Sequence, residues 1–205
     1  MRKKVDEQLG LIYDYVAAVT GQGSHGLDHT GRVTRSCIAI GREEGADMAI
    51  LIPAALLHDI GRPAERERGV PHEAEGAMMA EAFLRSIGYD ESLIPAIAGA
   101  IRTHRFRSAE VPATPEARIL SDADKLDALG AVGLARTFMR AGEHGGGVQD
   151  AVDHVHGKLL KLKGLMYTET GRRIAGERHA FLMDFMEELD RERDREGEPF
   201  PPPGK

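Results

Sequence analysis

Residues 48–60, Met-Ala-Ile-Leu-Ile-Pro-Ala-Ala-Leu-Leu-His-Asp-Ile, form a nearly unbroken apolar run that ends in a histidine–aspartate doublet. A helix that is apolar all round has to be covered on all sides, so this run predicts a central helix buried by others. Gly61, Arg62 and Pro63 follow as a strong stop, and Pro53 marks a kink or the end of the first turn. Neighbouring helical residues point about 100° apart. His58 and Asp59 therefore converge on one ligand only near a helix end, and the stop places that end beside them.

The flanking sequence supplies the cover. Val5, Leu9, Ile12, Val16 and Val19 recur at helical spacing until residues 20–24, Thr-Gly-Gln-Gly-Ser, end the segment. A second helix is expected from an N-cap at Asp28, with Val33, Cys37 and Ile40 on one face and Gly45 as its end. A charged loop over 62–71 comes next. Helices are then expected over 72–87, 93–104, 116–140, 150–166 and 168–193. Residues 105–115 and the glycine-rich 142–147 read as irregular. The tail from Glu196, rich in proline, is expected to be disordered. No strand pair, repeat or linker stands out. The reading is all-α: one helical domain over 1–195 with a tail over 196–205.

Composition narrows function. The 205 residues carry a net charge of −6, which argues against a nucleic-acid polymer as partner, since phosphate contacts need clustered Lys and Arg. A small anionic substrate needs only a local basic pocket. The single Cys37 sits on the apolar stripe of the second helix and reads as a core thiol. No apolar run approaches the roughly 18 residues of a membrane span, and the N-terminus lacks the apolar stretch of a signal peptide. The expectation is a cytoplasmic protein with no membrane partner; a homodimer is left open.

Three segments carry the chemistry: Asp28-His29-Thr-Gly-Arg32-Val33, Leu57-His58-Asp59-Ile60-Gly61 and Ser121-Asp-Ala-Asp124-Lys-Leu-Asp127. Imidazole nitrogens and carboxylate oxygens together suit a divalent metal with open positions for water. In this order the segments resemble the H…HD…D signature of the HD-domain metal-dependent phosphohydrolases. Residues 71–77, 101–104, 127–136 and 158–163 are similar to one branch, the small stand-alone prokaryotic HD proteins, which includes pyrophosphohydrolases of nucleoside triphosphates. The similarity runs from about residue 24 to 190.

The resemblance implies metal ligands His29, His58, Asp59 and Asp124, with Asp122 as rival for the last. It also implies a nucleotide substrate, pyrophosphate release from a triphosphate by a metal-activated water, and a divalent cofactor. Mn²⁺ is the expected ion, with Mg²⁺, Fe²⁺, Ni²⁺, Co²⁺ or Zn²⁺ also fitting the ligands; mixed His/Asp ligation leans away from the all-oxygen sites magnesium prefers. His72 and His104 extend the order toward the H…HD…H…H…D pattern of two-metal HD enzymes. They either bind a second ion, bridged by Asp59, or face substrate phosphate and the attacking water.

Further candidates follow from spacing. Glu75 lies three residues after His72 and is a candidate general base. Arg32 lies three after His29 and is a candidate phosphate contact. Asp127 lies one turn after Asp124, to bind substrate or to orient a ligand. Lys158 and Lys161 share a helical face and are candidates to grip a triphosphate tail, or else form a solvated face. His25 is a weaker candidate for the entrance. Two other chemistries use the same scaffold: a two-metal phosphodiesterase or iron oxygenase, and a non-catalytic metal-containing nucleotide sensor. The missing Gly-Tyr-Pro signature weighs against cyclic-dinucleotide cleavage, and an intact ligand set weighs against a pure sensor.

Overall fold

The structure is a computed structural model that describes residues 2–20, 26–106 and 110–196; His25 and residues 197–205, on which two expectations fall, lie outside them. Among the described residues there is no strand. The chain runs through α1 (Arg2–Val19), α2 (Leu27–Glu44), α3 (Met48–Leu57), α4 (Arg62–Arg68), α5 (His72–Ser86), α6 (Ile94–Thr103), α7 (Pro115–Asp127), α8 (Gly130–Glu143) and α9 (Val148–His154). A π-helical turn (Val155–Leu159), the short α10 (Leu160–Leu162), a 3-10 turn (Lys163–Leu165) and the long α11 (Glu169–Glu196) follow. No helix among the described residues is long and apolar enough to cross a membrane.

The central apolar run forms α3, packed against α1, α2, α6 and α7. Leu51, Ala54, Ala55 and Leu57 are fully buried, in one core that also takes Ile12 from α1, Val33, Cys37 and Ile40 from α2, Ile97 and Ile101 from α6, and Leu120 and Leu126 from α7. Cys37 is a buried free thiol, as its stripe predicts, and burial raises its pKa. Pro53 lies inside α3. It has no N–H for the carbonyl four residues earlier. That carbonyl, Ala49 O, accepts a 2.7 Å hydrogen bond from the Tyr89 hydroxyl instead, so the helix continues through the proline.

Four expectations are corrected. Residues 62–68 are helical, not a loop: Pro63 falls in the first turn, where a helix needs no N–H from it. The helix expected over 116–140 is two, α7 and α8. They are separated at Ala128–Leu129, where Gly130 takes a left-handed φ of 76° and α8 starts afresh. The N-cap of α2 is Gly26, and Asp28 sits in the first helical turn, where its charge still favours the helix dipole. Residues 155–165 pass through π and 3-10 turns, so the register of a regular helix does not carry across them.

Candidate metal centre

The doublet lies just beyond α3, in a turn over residues 58–61. Arg62 N–H donates to Asp59 O (3.0 Å) and starts α4. Gly61 is required here by crowding: a Cβ on it would lie 2.2 Å from His72 O and 2.7 Å from Gly76 N. The turn thus presses directly on the first turn of α5 and brings His72 beside Asp59. His29 arrives from α2, His104 from the residue after α6, and Asp124 from α7.

Four imidazoles converge on the one carboxylate of Asp59. His29 Nε2 and His58 Nε2 each stand 3.5 Å from its Oδ2, and 3.2 Å from one another. His72 Nε2 and His104 Nε2 stand 3.4 Å and 3.8 Å from its Oδ1. Asp124 Oδ1 adds a second carboxylate 3.4 Å from His29 Nε2. All four imidazoles and Asp59 are at most 3% exposed, while the Asp124 side chain is 22% exposed and marks the open side.

Each ring is oriented through its other nitrogen. His29 Nδ1 meets Asp127 Oδ2 at 2.7 Å, His58 Nδ1 meets Ala55 O at 2.8 Å, His72 Nδ1 meets Glu65 Oε2 at 2.9 Å, and His104 Nδ1 meets Ile101 O at 2.6 Å. Every one of those partners is a carbonyl or carboxylate oxygen, so Nδ1 must donate, and the neutral ring then offers the Nε2 lone pair to the centre. Oxygen acceptors behind ligating imidazoles are what fix tautomer and aim in metal sites.

The charges divide the rings. Burial opposes a proton on His29, but hydrogen bonds to Asp124 and Asp127 and the charges of Asp124 and Asp59 outweigh it and raise its pKa to about 9. Burial holds His58 down to about 4, reinforced by the neighbouring rings of His104 and His29. Burial and the Arg62 charge lower His72. His104 is raised: burial opposes the charge, and Asp59 and Asp124 overcome it. Asp124 is lowered against the effect of its burial, by its hydrogen bond to and charge attraction with His29.

The other expected residues separate. Asp122, the rival ligand, turns away: it accepts Tyr167 N–H (2.9 Å), Thr168 N–H (2.8 Å) and the Thr168 hydroxyl (2.8 Å), and so anchors the start of α11. Asp127 lies behind His29 and accepts Arg32 Nε at 2.6 Å, Arg32 Nη2 at 3.1 Å and a close contact from Arg136. Glu75 pairs with Arg68 at 2.6 Å; the carboxylate on His72 is Glu65. Lys158, in the π turn, and Lys161, in α10, are exposed. Neither lines the cleft beside Asp127, which is formed by Arg32, Arg35, Ser36, Arg178 and the first turn of α8.

Three partners went unread in the sequence. Arg62 Nε donates to Asp59 Oδ1 at 2.8 Å and its Nη1 to Glu65 Oε2 at 3.2 Å. Glu65 also takes Arg105 Nη1 at 3.0 Å. The three-residue spacing of Arg62 and Glu65 is a helical signal, hidden because the segment reads as a loop.

The donor set fits a divalent cation. His72 Nε2 and His104 Nε2 are buried and make no hydrogen bond, a cost that a ligand role removes. His29, His58 and Asp59 form one triad with ligand-atom separations under 4.8 Å, and Asp59, His72 and His104 form a second. The HD-domain family profile matches residues 26–129. The chain belongs to the HD-domain family. YpgQ of Bacillus subtilis, an uncharacterized protein, is 34% identical over 198 residues, covering 91% of this chain and 94% of that protein. The crystal structure of YpgQ in complex with ADP superposes with a TM-score of 0.76 at 30% identity, covering 92% of this chain and 96% of that one. A predicted HD superfamily hydrolase from an uncultured Thermotogales bacterium gives a TM-score of 0.68 at 31% identity, with 94% and 92% covered. The HD-domain reading therefore holds, and with it a metal-dependent hydrolase.

Proposed function

We propose that this HD-domain protein hydrolyses a phosphoanhydride or phosphate ester of a nucleotide, releasing pyrophosphate from nucleoside triphosphates. The observation that carries it is the convergence of four imidazole Nε2 atoms and Asp124 around Asp59, with an arginine-lined cleft on the Asp127 side of His29. His29, His58, Asp59 and Asp124 would hold the ion, and Mn²⁺ suits their mixed nitrogen and oxygen donors. The chemistry such an ion supplies when bound is Lewis-acid activation: a more acidic water and a polarised phosphoryl oxygen.

The chain's own residues do the rest. Arg32, held in place by Asp127, faces with Arg35 and Arg178 a cleft of roughly 320 Å³, at the small end of ligand sites. These guanidinium groups offset charge on phosphate oxygens. That the similar YpgQ was crystallised with ADP supports a nucleotide as ligand. His72 and His104 present Nε2 lone pairs to the same buried space, where they can take a proton from the attacking water. Glu65 steadies His72 in that role through Nδ1. Glu75, the candidate general base from sequence spacing, is paired with Arg68 instead.

The test is a metal-supplemented screen of nucleoside mono-, di- and triphosphates with products identified, and Asp59→Ala as control. Turnover of a triphosphate to monophosphate and pyrophosphate is expected, and its loss in the variant. Release of inorganic phosphate alone from all substrates overturns pyrophosphate release. Wild-type turnover and metal content in Asp59→Ala overturn the site.

A further inference from the structure

Lys125 follows Asp124 directly in the sequence, yet its side chain is only 4% exposed and is absent from the lining of the arginine cleft. Its Nζ donates to Ser121 Oγ at 2.7 Å and to Ser121 O at 3.0 Å. The Asp122 carboxylate lies 3.7 Å away, and the Tyr167 ring covers Nζ with its centroid at 4.7 Å. Ser121 Oγ in turn donates to His104 O at 2.9 Å. We infer that Lys125 is a positioning residue: through the Ser121 hydroxyl it holds His104 in its place facing Asp59, and it touches no substrate.

Chemistry fixes the polarity of this relay. A carbonyl, a carboxylate and the face of an aromatic ring surround Nζ, and all three attract its protons. A lysine ammonium has donors and no acceptor. Ser121 Oγ therefore meets Nζ as an acceptor, and its own proton is left for His104 O. Both Lys125 and Ser121 are buried, so bulk water does not compete for these bonds. His104 needs such a tether. It lies one residue beyond α6, and its N–H reaches Ile101 O only at 3.5 Å. Its Nδ1 is aimed by Ile101 O at 2.6 Å, while its buried Nε2 makes no hydrogen bond and faces Asp59 Oδ1 at 3.8 Å. That aim holds only while the backbone carrying the ring stays in place, and the Ser121 hydroxyl is the group from α7 that holds it. His72, on the same side of Asp59, is braced by Glu65 instead and owes nothing to Lys125.

This role rests on the reading of His104 as acceptor of a proton from the attacking water. Two measurements test it. In nucleotide turnover, Lys125→Met and Ser121→Ala are each expected to lower kcat about 10–100-fold, the usual cost of losing a partner behind a centre residue, with KM and Mn²⁺ affinity unchanged. Lys125→Met added to His104→Ala is expected to cost nothing further, because the relay then has no ring to hold. A raised KM with kcat kept makes Lys125 a substrate contact and overturns the inference. Wild-type kcat in Ser121→Ala overturns it too, as does a full further loss on top of His104→Ala. The second measurement needs neither metal nor substrate. Proton NMR of the metal-free protein reads the His104 Nδ1–H, assigned by its disappearance in His104→Ala. In Lys125→Met and Ser121→Ala this proton is expected to shift and exchange faster, while the His58 Nδ1–H on Ala55 O stays unchanged. An unchanged His104 signal in folded Ser121→Ala overturns the inference, whatever Lys125→Met does to folding. A wild type that turns over no nucleotide overturns the hydrolysis reading, and the NMR measurement still decides the relay.

Discussion

On the Oδ2 side of Asp59 stand His29, His58 and Asp124; on the Oδ1 side stand His72, His104 and the Arg62 guanidinium. Each side offers two buried imidazole nitrogens at similar distances, each ring aimed by an oxygen behind it. Only the first side adds an anion, and only the second adds a fixed cation. Similar shape therefore does not mean similar surroundings: the charged group that joins the imidazoles on each side of Asp59 differs in sign.

The sharpest way to break this contrast is to delete one ring from each side. His29→Ala should lower Mn²⁺ affinity by at least about 10³-fold, since it removes a proposed ligand and the imidazole that faces Asp124. His104→Ala should leave affinity within about tenfold of wild type. Isothermal titration calorimetry reads both, and equal losses would erase the difference between the sides. Asp127→Ala acts one layer out, on the aim and basicity of His29, and should cost about 10–100-fold in affinity by the same measurement.

The pH response separates His29 from His58. In the metal-free protein His29 is charged up to about pH 9 and His58 is neutral above about pH 4. At neutral pH an ion entering this side therefore displaces one proton, from His29. Apparent affinity should rise about tenfold per pH unit toward pH 9 and flatten above it, with one proton released per ion in calorimetry across buffers of different ionisation heat. The sign for stability is opposite. His29 has a folded pKa above its ordinary 6.5, so its charge stabilises the metal-free fold below about pH 6.5, and this is lost as pH rises through about 9. The smallest effect belongs to a site away from the centre: Tyr89→Phe should cost about 1–2 kcal/mol by leaving Ala49 O without its donor, seen in urea unfolding, with ion affinity unchanged.

Much of the architecture was legible because helices announce themselves by period. The apolar run at 48–57, the stripe Val33, Cys37 and Ile40, and the stop at Gly45 all point to buried helices. The residues that meet at the centre were legible from order and motif: His29, His58, Asp59, His72, His104 and Asp124 come together in the fold. What escaped depends on contacts between segments. Glu65 and Glu75 are both close to His72 in sequence, and only the path of α4 decides that Glu65 meets its ring while Glu75 meets Arg68. The break at Ala128–Leu129 is set by a single left-handed glycine, Gly130, which a helical pattern on both sides conceals. The spacing of Lys158 and Lys161 suggests one face of a regular helix, but Lys158 lies in the π turn and Lys161 in α10, which alters it.

The contact between Gly61 and α5 bears on transplanting this chemistry. A designer who copied His58 and Asp59 onto the end of another helix would obtain two side chains pointing into solvent. The transferable unit is a clasp between two chain segments: a turn whose last residue can bear no side chain, and a helix start pressed against it at His72 and Gly76. Grafts should be scored on whether the host offers that second segment, before any ligand is chosen.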